Sequence, residues 1–502
     1  MGVVIAIDAG TTGVRAFAVD EQGAPVGWSY QEFPQHFPRP GWVEHDADDI
    51  LAAVRSTLAD LVPRLGDTPI AAIGITNQRE TLVAWDTSTG HPVHRALVWQ
   101  DRRGAQECDR LRAEGHEPLV RQKTGLVLDP YFTATKLGWL LSAEGGAVSP
   151  TAELAVGTVD SWILWHLTGG VDGGVHATDV SNASRTLLCD ITSRTWDKDL
   201  AEVFGASAAF AALPEIRPSS GVFGRTAAGN GVPASIPVAG IAGDQQAALF
   251  GQACFTPGMT KNTYGTGSFV LMNVGPDCPP PVEGLLTTVA WELDDGTVAY
   301  ALEGAIFVTG AAIQWLRDGL GMISEASEVG PLAASVADTD GVFVVPAFTG
   351  LGSPWWDPYA RGTVTGITRG TNRAHIARAV VEAMAFQTRD VVTAMSAAVG
   401  RDVIALRVDG GASVMDVLCQ FQADQLQVPV ARSAVQETTA LGAAYLAGLA
   451  TGVWGSLDEL ASHWQAEQEF GPVASAAAAA AKHGAWLKAV ERSLRWAEST
   501  AT

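Results

Sequence analysis

The stretch Val3-Val-Ile-Ala-Ile-Asp8-Ala-Gly-Thr-Thr-Gly-Val-Arg-Ala-Phe-Ala-Val19 places a turn of glycine and threonine between two apolar runs that resemble strands. A second stretch, Thr263-Tyr-Gly-Thr-Gly-Ser-Phe-Val-Leu-Met-Asn-Val274, repeats this arrangement. Each predicts a hairpin whose tip gathers small hydroxyls and unobstructed backbone N–H groups, which can bind phosphate oxygens. Two such hairpins in one chain predict a nucleotide held between two domains.

Either hairpin taken alone is also compatible with an ordinary glycine-rich β-turn. Asp8 favours phosphate binding for the first hairpin, because it lies at the end of the first strand and directs a carboxylate at the turn. A hydrated magnesium ion at that carboxylate would bridge to the phosphates, since Mg²⁺ prefers oxygen ligands and keeps several waters. We therefore expect Asp8 to hold Mg²⁺ through water.

Length and charge limit the classes of function. A chain of 502 residues exceeds what one hydrophobic core usually organises, and glycines and a proline between Phe250 and Gly258 interrupt the pattern. We therefore predict two domains, residues 1–251 and 252–502. The net charge of −22 argues against nucleic-acid and membrane partners, because the protein's field would repel anionic surfaces.

The cysteines and the amino terminus predict where the protein works. The five cysteines are odd in number and widely spaced, which argues against a disulfide framework and a zinc site. The amino terminus runs directly into strand sequence, with no signal-peptide pattern, and no apolar run is long enough to span a membrane. We expect a cytoplasmic protein.

Strand-like and helical segments alternate along the chain, which is typical of an α/β protein. Strands are predicted at Ile70–Ile75, Ala96–Trp99 and Ile236–Ile241. Helical periodicity covers Ala374–Phe386 and Thr438–Gly448, and the second of these segments is apolar enough to be buried. The fold is expected to be α/β, with a cleft opening near the domain boundary.

Asp244 follows an apolar run and precedes a helix, so its carboxylate is compatible with two roles. It can cap the helix, which is common at such a junction. It can also act as a general base that accepts a proton from an alcohol attacking a γ-phosphate. Spacing alone leaves both roles open.

Another polar cluster, Arg79 and Glu80, directly follows a strand. It is compatible with a solvated ion pair, or with recognition of a small hydroxylated ligand at the carboxyl end of that strand. Trp99 and Tyr131 are likewise compatible with core aromatics or with the walls of a pocket.

Ten stretches along the chain together form a recognisable pattern: Asp8-Ala-Gly-Thr-Thr-Gly, Gly41-Trp-Val-Glu-His-Asp, Gly74-Ile-Thr-Asn-Gln-Arg-Glu-Thr, Asn182-Ala-Ser-Arg-Thr, Gly243-Asp-Gln-Gln-Ala-Ala-Leu-Phe-Gly, Lys261-Asn-Thr-Tyr-Gly-Thr-Gly, Ala301-Leu-Glu-Gly, Pro346-Ala-Phe-Thr-Gly-Leu-Gly, Trp356-Asp-Pro-Tyr-Ala-Arg-Gly and Val408-Asp-Gly-Gly. In these stretches and their order, the chain resembles the FGGY family of carbohydrate kinases essentially from end to end. The resemblance implies two actin-like, ribonuclease H-like ATPase domains that close over ATP and Mg²⁺. It also implies transfer of the γ-phosphoryl group to a terminal hydroxyl of glycerol, giving ADP.

The resemblance further implies roles for individual residues. Glycerol contacts are implied for Arg79, Glu80, Trp99, Tyr131, Asp244, Gln245 and Phe269. Nucleotide contacts are implied for Thr11, Thr12, Gly13, Arg15, Thr266, Gly310, Gln314 and Gly411. Asp244 is implied as the general base, with Arg15 as the cation facing the phosphates and Asp8 beside Mg²⁺. Relatives form dimers and tetramers, so a homo-oligomer is expected.

The chain departs from the family pattern at two places in the nucleotide site. Gly13 stands where a serine is common, so one hydroxyl to the phosphates is absent. Met415 stands where an asparagine often contacts the adenosine portion of the nucleotide. The binding sites for fructose bisphosphate and for the sugar phosphotransferase system are expected to be absent.

Two alternatives to glycerol phosphorylation remain open from the sequence. One is a kinase that acts on another polyol or a ketose, because pocket walls rather than phosphate loops set specificity. The other is an actin-like ATPase that works as a nucleotide-driven binding module. The polar pocket residues and Asp244 argue against this second alternative, because such a module would not need them.

Overall fold

The computed structural model describes residues 2–144 and 148–497, which contain two large sheets of similar topology. Both predicted hairpins are present, as strands Val3–Ala9 with Gly13–Val19 and Met259–Tyr264 with Ser268–Gly275. Each hairpin is antiparallel, and the first strand of each also pairs with a parallel strand on its other side. The repetition read from the sequence is therefore a repetition of strand order.

The first sheet has six strands. Its order is Ser220–Arg225, Pro237–Gly243, Ile70–Asn77, Val3–Ala9, Gly13–Val19 and Pro25–Glu32. Val3–Ala9 is almost entirely buried, as its continuous apolar sequence predicts for a central strand. Ile70–Asn77 and Pro237–Gly243 run parallel, so their carboxyl ends lie side by side.

The second sheet has seven strands. Its order is Leu286–Glu292, Val298–Ile306, Ser268–Gly275, Met259–Tyr264, Ala405–Asp409, Val430–Ser433 and Ala466–Phe470. Short strands outside the two large sheets are Gln35–His36, Glu44–His45, Val83–Asp86, Ala96–Leu97, Leu154–Gly157, Ala177–Asp179, Cys189–Asp190, Thr195–Trp196, Glu215–Arg217, Phe343–Val345 and Thr363–Thr365.

Helices flank both sheets. In the first half they are Ala47–Leu61, Ala105–Ala113, Glu117–Thr124, Thr133–Leu141, Val159–Leu167, Val180–Ala183, Lys198–Val203 and Asp244–Gly251. In the second half they are Gly310–Gln314, Val329–Ala334, Arg373–Val399, Asp416–Leu426, Thr438–Ala450, Leu457–His463 and Ala476–Ser493. Among the described residues, no helix combines the length and apolar character needed to cross a membrane.

The helix Thr438–Ala450 packs on the first sheet although it belongs to the second half of the sequence. Glycines make the close approach possible: a Cβ at Gly74 would lie 2.1 Å from the Ala443 carbonyl oxygen, and one at Gly240 would lie 2.5 Å from the Ala447 nitrogen. The two parts of the chain therefore share a buried apolar cluster. The division at residue 251 stays a prediction, with this helix as a contact across it.

The same helix crosses Asp244–Gly251 at small residues, and we expect Gly442→Ala to destabilise the protein. A Cβ at Gly442 would lie 1.8 Å from the Ala247 carbonyl oxygen, so the two backbones would have to separate. We expect a loss of about 2 kcal/mol in the free energy of unfolding, because overpacking outweighs the better helix propensity of alanine. Urea denaturation measures this change.

The control for Gly442→Ala is Gly484→Ala in the helix Ala476–Ser493. A Cβ at Gly484 would meet nothing within 4 Å, so only helix propensity changes there. That variant should gain up to about 1 kcal/mol in the free energy of unfolding. An equal change in the free energy of unfolding for the two alanine variants would contradict tight packing where the two helices cross.

Candidate functional site

The central polar residues of the candidate site follow two neighbouring parallel strands. Ile70–Asn77 leads into Arg79 and Glu80, and Pro237–Gly243 leads into Asp244. Because both strands end at one edge of the sheet, Arg79 Nε lies 3.3 Å from Asp244 Oδ1. The approach requires glycine at position 243, where a Cβ would lie 2.7 Å from the Arg79 side chain.

Behind Asp244 lie four buried charges, Arg79, Glu80, Arg185 and Glu303. Arg79 donates to both Glu303 carboxylate oxygens, with Nη1 2.6 Å from Oε2 and Nη2 3.1 Å from Oε1. Arg185 donates from Nε to Glu80 at 2.8 Å and from Nη2 to Glu303 at 2.9 Å. All four side chains are at most 1% exposed. The cluster therefore balances two positive and two negative charges away from water, as buried ion pairs require.

The pKa values of these groups follow their surroundings. Burial alone would raise the pKa of Glu303, but Arg185 and Arg79 outweigh it and hold that pKa to about 2. For Glu80 burial prevails over the two arginines, so the pKa of that carboxyl is raised. Glu303 is thus the principal counterion of the cluster, and it keeps Arg79 fixed beside Asp244.

Asp244 differs from this cluster because its side chain is 31% exposed. It begins the helix Asp244–Gly251, and its Oδ1 accepts the Gln245 backbone N–H at 2.7 Å. Burial raises the pKa of its carboxyl, and Arg79 and Lys261 oppose that rise. The carboxylate is thus reachable and positioned, with a proton affinity above that of an ordinary aspartate.

Aromatic side chains surround the same position. The rings of Trp99 and Tyr131 meet edge to face at 5.4 Å, and the Phe269 ring lies 5.9 Å from the Arg79 guanidinium. Burial raises the pKa of the Tyr131 hydroxyl, so that hydroxyl keeps its proton. These walls, together with Arg79 and Asp244, form a site suited to a small molecule that carries hydroxyls.

Gln245 lies beside Asp244, where Lys261 restrains it. The Lys261 ammonium donates to Gln245 Oε1 at 2.5 Å and to Thr263 Oγ1 at 3.0 Å. Burial lowers the pKa of Lys261 to about 8. All seven residues for which the resemblance implies glycerol contacts are therefore brought together in one region.

The first hairpin adjoins this region. The Trp99 indole N–H donates to Thr11 Oγ1 at 2.9 Å, which joins the aromatic wall to the hairpin tip. The tip is closed by the Gly10 N–H donating to the Gly13 carbonyl at 3.0 Å, and Thr12 is exposed there. Arg15 is half-buried and forms an ion pair with Glu437, which precedes the helix Thr438–Ala450.

Asp8 lies at the base of this hairpin. Burial and the charge of Asp244 raise its pKa to about 7, against the opposing effect of Arg15. A carboxyl whose pKa is raised by burial and by a neighbouring carboxylate suits a divalent cation, which would stabilise its ionised form. Among the described residues no cluster of three metal-ligating side chains occurs. The donor set therefore fits Mg²⁺ bound mainly through phosphates and water rather than a protein cage.

A cavity of 780 Å³ lies in the second half of the chain. Its wall includes all four residues for which the resemblance implies contacts in that half, Thr266, Gly310, Gln314 and Gly411. Met415 also lines it, together with apolar residues such as Ile313 and Val329. Its size and mixed lining suit a nucleoside, and Met415 supplies apolar surface there instead of a hydrogen-bonding group.

Sequence reasoning missed three residues of the site, Arg185, Glu303 and Lys261. Each lies within a stretch that carries the family resemblance, yet no role follows from neighbours in the sequence. Their partners lie far away in the chain: Arg79 and Glu303 are 224 residues apart, and Glu80 and Arg185 are 105 apart. A buried charge in an otherwise apolar strand, as Glu303 is in Val298–Ile306, was the available signal.

Comparisons with known proteins show the family of the chain. The models of the FGGY family of carbohydrate kinases match the chain with their N-terminal domain at residues 3–251 and their C-terminal domain at 260–451. A glycerol kinase from Trichlorobacter lovleyi is 55% identical over 502 residues, covering 99% of this chain and 100% of the relative. One from Thermus thermophilus is 51% identical over 495 residues, covering 98% and 99%.

Solved structures support the same assignment. The crystal structure of Plasmodium falciparum glycerol kinase with ADP is similar with a TM-score of 0.93 and 35% identity, covering 98% of each chain. The predicted α/β fold with two actin-like domains and the predicted family are both confirmed. The chain belongs to the FGGY family of carbohydrate kinases.

Proposed function

We propose that this chain transfers the γ-phosphoryl group of ATP to a terminal hydroxyl of glycerol, with Asp244 as the general base. The observation that carries the proposal is the position of Asp244, whose partly exposed carboxylate lies 3.3 Å from Arg79 and acts electrostatically on Asp8 at the base of the first hairpin. Relatives named glycerol kinase that are 50–55% identical over nearly the whole chain support the choice of substrate.

The pocket residues divide the recognition of a triol between polar and apolar contacts. Arg79 and Glu80 offer a donor and an acceptor to adjacent hydroxyls, while the rings of Trp99 and Phe269 contact the carbon backbone. Asp244 then accepts the proton of the attacking hydroxyl, which is held close to the hairpin by the same contacts. Such positioning supplies much of the rate enhancement in phosphoryl transfer.

The phosphate side rests on the two hairpins. Backbone N–H groups of Thr11, Thr12 and Gly13, together with the hydroxyls of the two threonines, hold the terminal phosphates. The nucleoside lies in the cavity beside Thr266 and Gly310. Arg15 exchanges Glu437 for phosphate oxygens when the nucleotide is present. When bound, Mg²⁺ neutralises charge on the phosphates, and Asp8 would hold it through water.

Release of ADP, measured with and without glycerol, tests this proposal. We expect glycerol to stimulate ADP release strongly, because ADP forms only when the γ-phosphoryl group is transferred to a hydroxyl held beside Asp244. ATP hydrolysis that is indifferent to glycerol would favour the actin-like ATPase module instead. A panel of polyols and ketoses compared by kcat/KM tests the substrate, and glycerol ranking well below a pentulose would favour a different sugar kinase.

Other properties are proposed on narrower grounds. All five cysteines are free thiols and four are buried, which supports a reducing, cytoplasmic location. The net charge of −22 supports the absence of nucleic-acid and membrane partners. The family resemblance supports a homodimer or homotetramer, which sedimentation would measure.

A further inference from the structure

The first hairpin has no room for a side chain at Gly13. A Cβ there would lie 2.6 Å from the Gln31 carbonyl oxygen and 2.7 Å from both Cζ and the hydroxyl oxygen of Tyr30. The neighbouring strand Pro25–Glu32 therefore fills the space that a hydroxyl-bearing side chain at position 13 would occupy. Position 13 provides only backbone groups to a phosphate, and another hydroxyl lies close by.

That hydroxyl belongs to Tyr30. It lies 3.4 Å from Thr12 Oγ1, and Tyr30 is 40% exposed. Tyr30 is the cross-strand partner of Arg15, whose guanidinium lies 5.5 Å from the centre of the tyrosine ring. The phenol is thus placed at the hairpin tip with its hydroxyl accessible, and its ring packs against the cation proposed to face the phosphates.

We propose that the Tyr30 hydroxyl donates a hydrogen bond to the terminal phosphate of the bound triphosphate, in place of the side-chain hydroxyl that Gly13 lacks. This inference rests on the proposed function, because it requires ATP to bind at the first hairpin. A phenolic O–H group is a hydrogen-bond donor and can bind a phosphate oxygen.

The location of the first hairpin indicates that Tyr30 contacts the terminal phosphate rather than the other phosphates. Thr11 accepts the indole N–H of Trp99, whose ring contacts Tyr131, so this hairpin adjoins the pocket for the acceptor. The cavity that suits the nucleoside lies instead beside Thr266 of the second hairpin. The phosphate nearest the acceptor is the one that is transferred, so Tyr30 lies on the γ-phosphate side.

Tyr30→Phe tests the inference, because it removes one oxygen and keeps the ring over Arg15. Binding of a non-hydrolysable ATP analogue, ADP and adenosine to the whole protein is measured by calorimetry. We expect about fivefold weaker binding of the triphosphate analogue, the loss that one hydrogen bond of ordinary strength implies. Affinities for ADP and adenosine should change by less than about twofold, and KM for ATP should rise with little change in KM for glycerol.

Tyr359→Phe is the matched control, since Tyr359 is another exposed tyrosine but lies outside the cavity and the hairpins. It should leave all three affinities unchanged. Unchanged binding of the triphosphate analogue by Tyr30→Phe would overturn the inference, as would an equal loss for all three ligands, which indicates a structural role. Wild-type turnover of glycerol, measured in parallel, tests the proposed function separately.

Discussion

Replacing Asp244 with Asn is expected to lower kcat for glycerol phosphorylation by about a thousandfold, within the range that a general base contributes. The amide has the size of the carboxylate but cannot accept the proton of the attacking hydroxyl. The fold should survive, because Asp244 is partly exposed and the buried counterions of Arg79 are Glu80 and Glu303. Coupled measurement of ADP release gives the rate, and thermal denaturation confirms that the variant is folded.

Asp199→Asn serves as the control for this substitution. The Asp199 side chain is 75% exposed and pairs with Lys123, outside the site. The turnover of Asp199→Asn should therefore match that of the wild type. Asp244→Asn should also retain binding of the ATP analogue, because the role proposed for Asp244 is to accept a proton from the acceptor and not to bind the nucleotide. Wild-type turnover by Asp244→Asn would remove Asp244 from the role of base.

The pH dependence of kcat/KM for the wild-type enzyme is a second test of the Asp244 carboxylate as the base. A general base works when it is deprotonated, so kcat/KM should fall as the pH is lowered through its pKa. Burial raises the pKa of Asp244 above its ordinary value of 3.8, which moves this loss to higher pH than an unperturbed aspartate would give. Asp8 and Asp244 interact, so the apparent pKa of the acidic limb belongs to the pair.

The sequence predicted the parts of the fold that depend on local pattern. The apolar run before Asp8 and the glycine-threonine turn dictate a buried strand and a hairpin, and both formed where expected. Mostly small and apolar residues predict a buried helix over Thr438–Gly448, and the helix Thr438–Ala450 is buried along most of its length. The sequence did not predict that this helix packs on the first sheet. That packing depends on Gly74 and Gly240 lying opposite the helix backbone.

The same limit applies to the site. Arg79, Glu80 and Asp244 could be singled out because they come at or just beyond the carboxyl ends of strands, and the ends of parallel strands meet at one edge. The sequence left Arg79 and Glu80 as either a solvated pair or a recognition element, and the structure buries both. Arg79 and Glu80 are buried as ion pairs because Arg185 and Glu303, from other segments of the chain, pair with them. Burial of this charge cluster therefore depends on tertiary packing and cannot be predicted from neighbouring residues in the sequence.

Glu303 is the residue on which this cluster depends most, and Glu303→Gln should destabilise the protein and its glycerol pocket together. The amide removes one negative charge and places donors against Arg79 and Arg185, leaving two buried guanidiniums with Glu80 as the remaining carboxylate of the cluster. Breaking a buried ion pair on one side costs about 3–5 kcal/mol, so a loss of that size in the free energy of unfolding is expected. KM for glycerol should rise, because Arg79 is no longer held in place.

Glu292→Gln is the matched control, since Glu292 pairs with Arg194 at 2.7 Å but both side chains are partly exposed. Its loss in the free energy of unfolding should stay below about 1 kcal/mol, as for surface ion pairs. A similar small loss for Glu303→Gln, with an unchanged KM for glycerol, would contradict the counterion role.

The pH dependence of this stability difference distinguishes a lost charge from a lost shape. The pKa of Glu303 is about 2 in the folded protein, below its ordinary value of 4.5. Its ionised form therefore stabilises the fold fully above pH 4.5, and this contribution is lost as the pH falls towards 2. The difference between wild type and Glu303→Gln in urea denaturation should narrow over that interval. A difference independent of pH would mean that packing of the side chain, rather than its charge, holds Arg79 and Arg185 in the pocket.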